Sequence, residues 1–166
     1  MVTLASKGGN VIVQRPKGVS LITLYTNDTT IQPGVFVTCA GDTTPDCNRV
    51  DAGDEVPVGV AIERRDGTAQ DPDTVIPDGT PITIAPCGSG MVVHAIALSS
   101  RGAILPGDFL MMSGLKGTIK GTVAAKMTVN TATVFIRGLL YQNVGRAVEY
   151  DADVAAWDYV QVRLCI

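Results

Sequence analysis

A phrase occurs twice in this chain, and it constrains the fold more than any other feature. The first copy runs Ile31-Gln-Pro33-Gly34-Val-Phe36-Val, and Val58-Gly59-Val60-Ala61-Ile62-Glu63 follows it. The second runs Ile104-Leu-Pro106-Gly107-Asp-Phe109-Leu, with Val144-Gly145-Arg146-Ala147-Val148-Glu149 downstream. Each copy is a Pro-Gly turn, an aromatic-bearing strand, a gap, and then V-G-x-A-x-E. Pro33 to Gly59 spans 26 positions and Pro106 to Gly145 spans 39, so the gap varies while its ends do not. Fixed ends around a variable loop describe a scaffold rather than a catalytic centre. The two units cover residues 31–63 and 104–149.

The material around the phrase is β-forming. Aromatics are only 5% of a chain that is 46% hydrophobic, so the apolar content is Val, Ile, Leu and Ala. Branched Cβ atoms favour a pleated surface. The 18 Gly and 9 Pro punctuate the chain into short segments, the grammar of a sandwich or barrel. No segment makes an amphipathic helix of ~10 residues or more. The expected fold is mainly β: a compact β-barrel or β-tulip-like domain over residues 14–166, with little helix. Residues 40–55 read as a long polar loop, and residues 114–127 as an exposed hairpin or loop. The opening residues lack periodicity and contain Gly8-Gly9, so residues 1–13 read as a flexible N-terminal arm.

Charge narrows the partners. The net charge is −3 and the densest basic cluster is Arg64-Arg65, followed by Asp66. A nucleic-acid binder needs a basic face to displace counterions from phosphate, so nucleic acid is not an expected partner. No run approaches the ~20 apolar residues that span a bilayer, and no signal-peptide core follows Lys7. No membrane partner is expected either. The charged fraction of 17% is below the ~25% of an ordinary soluble domain, which suggests that part of the surface is covered.

Candidate chemical groups are sparse. His94 is the only histidine and lies in the apolar run Met91–Leu98. A Ser/His/Asp arrangement with Ser89 or Ser99 lacks the G-x-S-x-G elbow, and the expectation is a packed strand histidine. Asp42, Asp46, Asp51, Asp54 and Glu55 crowd one loop without EF-hand spacing. Glu63 and Glu149 hold equivalent places in the two units and read as strand-end carboxylates at a rim. No catalytic residue, metal site or cofactor is expected. The four cysteines make no C-x-x-C pair. Cys39 and Cys47 bracket a polar loop and could close it as a possible disulfide, or remain free thiols.

The order P-G-x-F, V-G-V-A-I-E, P-G-D-F-L, V-G-R-A-V-E and a C-terminal V-R-L strand resembles a family of tailed-virus (phage) capsid decoration, or head-stabilising, proteins. The likeness covers roughly residues 31–166. The first unit departs from it, with Val35 where the family has an acidic residue after the glycine. The resemblance implies a homotrimer on the outside of an icosahedral head. It also implies a non-enzymatic cement role, with the major capsid protein as partner, synthesis in the host cytoplasm and a final place on the capsid surface of the virion. Under it, Val2, Thr3, Leu4, Val11, Ile12 and Val13 become the capsid-binding arm. The alternative is another β structural or glycan-binding module of a virion tail or fibre, for which Trp157 is the aromatic candidate. An enzyme is the third reading.

Overall fold

A computed structural model of the chain describes residues 3–40, 45–51, 56–65, 71–97, 106, 109–112, 119–121, 143–147 and 158–164. The fold is mainly β, as the composition predicts. Eleven strands are described: β1 (Ile12–Gln14), β2 (Ile22–Thr26), β3 (Phe36–Cys39), β4 (Asp46–Arg49), β5 (Gly59–Arg64), β6 (Pro81–Pro86), β7 (Val92–Ala97), β8 (Phe109–Met112), β9 (Ile119–Gly121), β10 (Asn143–Ala147) and β11 (Asp158–Leu164). A short 3-10 turn spans Ala5–Lys7.

Strands β2-β4-β3-β5-β6 form a closed barrel. The other six form a sheet in the order β1-β7-β11-β10-β8-β9. A parallel pairing of Ile119 with Ala97 joins β9 back to β7, so five of these strands also complete a ring. The two rings are copies of one another, rung by rung. In the first, Phe36 faces Val60 and Val37 faces Gly59; in the second, Phe109 faces Arg146 and Leu110 faces Gly145. The rungs Val37–Arg49 and Cys39–Cys47 correspond to Leu110–Gly121 and Met112–Ile119. Ile22–Ile84 corresponds to Val93–Val162. The parallel seam Thr26–Cys47 corresponds to Ala97–Ile119. The repeated phrase therefore marks β3 with β5, and β8 with β10, within a larger repeat of five strands.

Sterics explain the glycine of V-G-x-A in the first copy. A Cβ at Gly59 would lie 2.2 Å from the Ala85 carbonyl oxygen and 2.6 Å from Ile84 Cγ2. No side chain fits where β5 crosses that close to β6. The Pro33-Gly34 turn clips the first ring to the second. Gly34 has φ +91°, and a Cβ there would sit 2.4 Å from the Tyr159 ring. Ile96 N–H donates to Gly34 O at 3.0 Å, and Tyr159 O–H donates to Pro33 O at 2.7 Å. One core cluster, from Leu4 to Leu164, runs through both rings.

Three expectations are corrected. The N-terminal segment is not a loose arm over its described part. Leu4 and Val11 are buried in the core, and β1 pairs with β7 across a bulge. The Asp73 carboxylate accepts from Leu4 N–H at 2.7 Å and Ala5 N–H at 3.3 Å, anchoring the 3-10 turn. A domain boundary after residue 13 would cut through β1. The third difference is that the polar loop at residues 40–55 contains a strand, β4, while the stretch read as a hairpin or loop contains β9. Polar residues such as Asp46 and Asn48 hid β4, because a short strand is held by its neighbours rather than by its own propensity. Asp151 and Asp153 could cap one helical turn at residues 150–156, and Val129, Thr131, Thr133 and Phe135 share the parity of a strand pair at residues 128–140; both stretches lie outside the described residues.

Candidate functional site

Equivalent strands of a duplicated ring invite comparison of their free edges. Thr26 N–H donates to Thr80 O at 3.0 Å, which marks a hydrogen-bonded rung between β2 and β6. Alternation along an antiparallel ladder then makes Thr23 and Tyr25 non-bonded towards β6, so their backbone groups point the opposite way. Tyr25 N–H duly donates to Pro45 O, at 2.8 Å, at the start of β4. Thr23 lies beyond the reach of β4. β4 pairs with β2 only at Tyr25 and Thr26, so no described strand lies along the outward edge of Thr23, and its hydroxyl accepts from Arg65 Nη1 at 2.8 Å.

The counterpart of Thr23 in the second ring is His94. There the same edge is covered: His94 N–H donates to Val11 O at 2.7 Å, and β1 lies along it. The difference extends to burial. Every residue of β7 is buried, whereas four of the five residues of β2 are exposed or half-exposed, including Ile22 at 37% and Tyr25 at 45%. Among the described residues the first ring thus presents a short open strand edge flanked by apolar side chains, at the position where the second ring holds an added strand. An open edge of this kind is a template for another extended segment. Sequence reasoning missed it because the repeat read from the phrase starts at residue 31 and leaves β2 out. Aligning Ser20–Tyr25 against Met91–Ile96 would have shown that β2 and β7 are equivalent strands.

The residues expected from the sequence fall elsewhere. Of the arm residues, Leu4 and Val11 are core, Ile12 is half-buried and Val13 is 44% exposed on β1. Thr3 is half-buried, and its carbonyl accepts from Ser6 Oγ at 2.7 Å. Val2 lies outside the described residues. His94 is buried, with Nδ1 2.8 Å from Asn10 O, as a packed strand histidine should be. Ser89 Oγ accepts from Met91 N–H at 3.3 Å within its own turn. Ser99, Trp157 and Glu149 are outside the described residues; Glu63 is exposed on β5.

An open polar depression of about 400 Å³ lies beside the first ring, lined by Asn27, Asp28, Asn48, Arg49, Asp51 and Asp78 among others. Its carboxylates are engaged. Asp28 Oδ1 accepts from Thr30 N–H at 2.8 Å and from the Thr30 hydroxyl. Arg49 Nε and Nη2 both lie 2.9 Å from Asp51 Oδ1. No group of three or more His, Cys, Asp or Glu side chains among the described residues is arranged to hold a metal ion. No helix among them is long and apolar enough to cross a membrane.

Cys39 and Cys47, the possible disulfide, face each other on β3 and β4 as free thiols, the first exposed and the second buried. Burial, then the neighbouring Cys39, Asp46 and Asp28, pushes the Cys47 thiol up to about 12. Burial alone does the same to Cys87. Burial also pushes the Tyr159 phenol up, and the nearby Asp73 adds to it.

No protein-family model matches the chain, and no curated protein matches it. Among solved structures, it is similar to the N base of the head fiber gp8.5 of bacteriophage phi29. Identity is 16%, the TM-score is 0.44, and 87% of this chain and 94% of that chain are covered.

Proposed function

We propose that this chain is a non-enzymatic structural protein of a phage virion, a decoration or cement protein. In this reading it binds the outer surface of an icosahedral capsid and stabilises it by bridging capsid subunits as a homotrimer. The observation that carries the reading is the open edge of β2 in a duplicated scaffold whose other edge is already filled by β1. The chain itself supplies the pattern for the occupant: an extended, apolar segment antiparallel to β2, as β1 is to β7. The major capsid protein is the partner that provides it. The order of motifs in the repeated phrase, which resembles the decoration family, supports the same assignment. A protein that binds the assembled lattice and not its separated subunits stabilises the shell by mass action.

Thr23→Pro tests this. At Thr23 the N–H points away from β6, so proline removes the outward donor without breaking the β2–β6 ladder. Wild-type protein should co-sediment with expanded heads and raise their disassembly temperature. The proline variant should keep the wild-type circular dichroism and melting temperature to within a few degrees, yet bind at least about tenfold more weakly, as loss of a strand-edge hydrogen bond to a buried partner requires. Failure of the wild type to co-sediment would overturn the assignment.

A further inference from the structure

Cys39 and Cys47 sit on a particular kind of rung. Ala40 N–H donates to Asp46 O at 2.9 Å, and Val50 N–H donates to Phe36 O at 3.1 Å. These are the bonded rungs 40–46 and 36–50 of the β3–β4 ladder, and alternation makes 39–47 a non-bonded one. Non-bonded antiparallel pairs bring Cα atoms to about 4.5 Å, with side chains on the same face and close together. A disulfide needs a Cα separation of about 4.4–6.8 Å. No other thiol among the described residues shares this ladder: Cys87 lies just past the end of β6, and the equivalent rung of the second ring is Met112–Ile119.

We propose that Cys39 and Cys47 are a redox pair that closes into a cross-strand disulfide, locking β4 to β3 beside the seam that completes the first barrel. That seam is short. β2 and β4 pair only through Tyr25–Asp46 and Thr26–Cys47, with Tyr25 N–H on Pro45 O and Asn27 N–H on Cys47 O at 2.9 Å. Cys47 therefore belongs to both β4 pairings, and tying it to β3 also steadies β2 next to its open edge. The oxidant is a small-molecule disulfide of the glutathione class. The exposed Cys39 sulfur attacks it, forming a mixed disulfide and releasing one glutathione thiolate. The Cys47 sulfur then displaces the second thiolate, and its proton goes to solvent. Two protein thiols are oxidised and one glutathione disulfide is reduced to two glutathione thiols. Because burial holds Cys47 protonated, the second step should accelerate as pH rises.

The test uses the whole protein, incubated with oxidised glutathione, unfolded in an alkylating agent and cleaved after Lys and Arg. Cleavage leaves both cysteines on one peptide, residues 18–49. The expected product is that peptide unalkylated at both positions and lighter by two hydrogens, forming faster at higher pH. Amide exchange at Tyr25 and Asn27 should slow on oxidation. Cys39→Ser, a change at an exposed position, should fold normally and show no slowing. A stable glutathione adduct on Cys39, alkylation of both thiols, a bridge to Cys87 or a dimer linked between chains would each overturn the proposal.

Discussion

At the scale of single residues, the fold rests on a few positions where one atom has nowhere to go. Gly34 is the sharpest case. A Cβ there meets both a left-handed φ and the Tyr159 ring, and each conflict costs roughly 1–3 kcal/mol. Gly34→Ala should lower the melting temperature by roughly 5–15 °C, measured by calorimetry. Tyr159→Phe leaves the Pro33 carbonyl without its donor, a loss of about 1–2 kcal/mol in a urea titration. The buried thiols set an alkaline limit. Cys47 and Cys87 rise from 9.0 to about 12 on folding, so the folded state holds protons that the unfolded chain releases. Their contribution is complete below about pH 9 and is lost as pH climbs from 9 to 12. The urea midpoint should fall across that window, and Cys87→Ala should make the fall shallower.

At the scale of elements, what was legible depended on whether a strand carries its own signal. β3, β5, β8 and β10 were legible because the repeated phrase spells them, and β7 and β11 because their apolar content is dense. β4 and β9 were not: Asp-Cys-Asn-Arg and Ile-Lys-Gly become strands only because a neighbour offers them a ladder. The N-terminal segment misled for the opposite reason. Gly8 and Gly9 look like slack, yet both adopt positive φ in the turn that returns the chain from the buried Leu4 to Val11. Asp73 fastens that turn. Asp73→Ala should speed amide exchange at Leu4 and Ala5 by at least tenfold, while the core strands keep their protection, because the loss is local. Aligning β2 with β7 shows that the two strands are equivalent, but not that the edge of β2 is open. An unpaired edge depends on where every other strand has gone, and no property of Thr23 announces it.

At the scale of the whole molecule, two rings of identical register share one core, and the contacts of Pro33 and Gly34 with β7 and β11 join them. They should unfold in a single cooperative transition despite the repeat, with equal calorimetric and van't Hoff enthalpies. Gly34→Ala should lower that single transition without splitting it, because the two rings share one core cluster. Light scattering at micromolar concentration should give the mass of a trimer, as the proposed role requires.

The placing of β1 has a consequence for how the chain is made. Synthesis runs from the N-terminal side, so the strands of the first ring, β2 to β6, all leave the ribosome before β7 does. That ring can close on its own schedule. β1 emerges before any of them but cannot settle, because β7, its partner among the described strands, is some 80 residues behind it. β1, made before every strand of either ring, is therefore among the last of the described strands to be seated. Until it is, the nascent protein carries two vacant edges instead of one, and a helper that shields strands would be most useful during that interval.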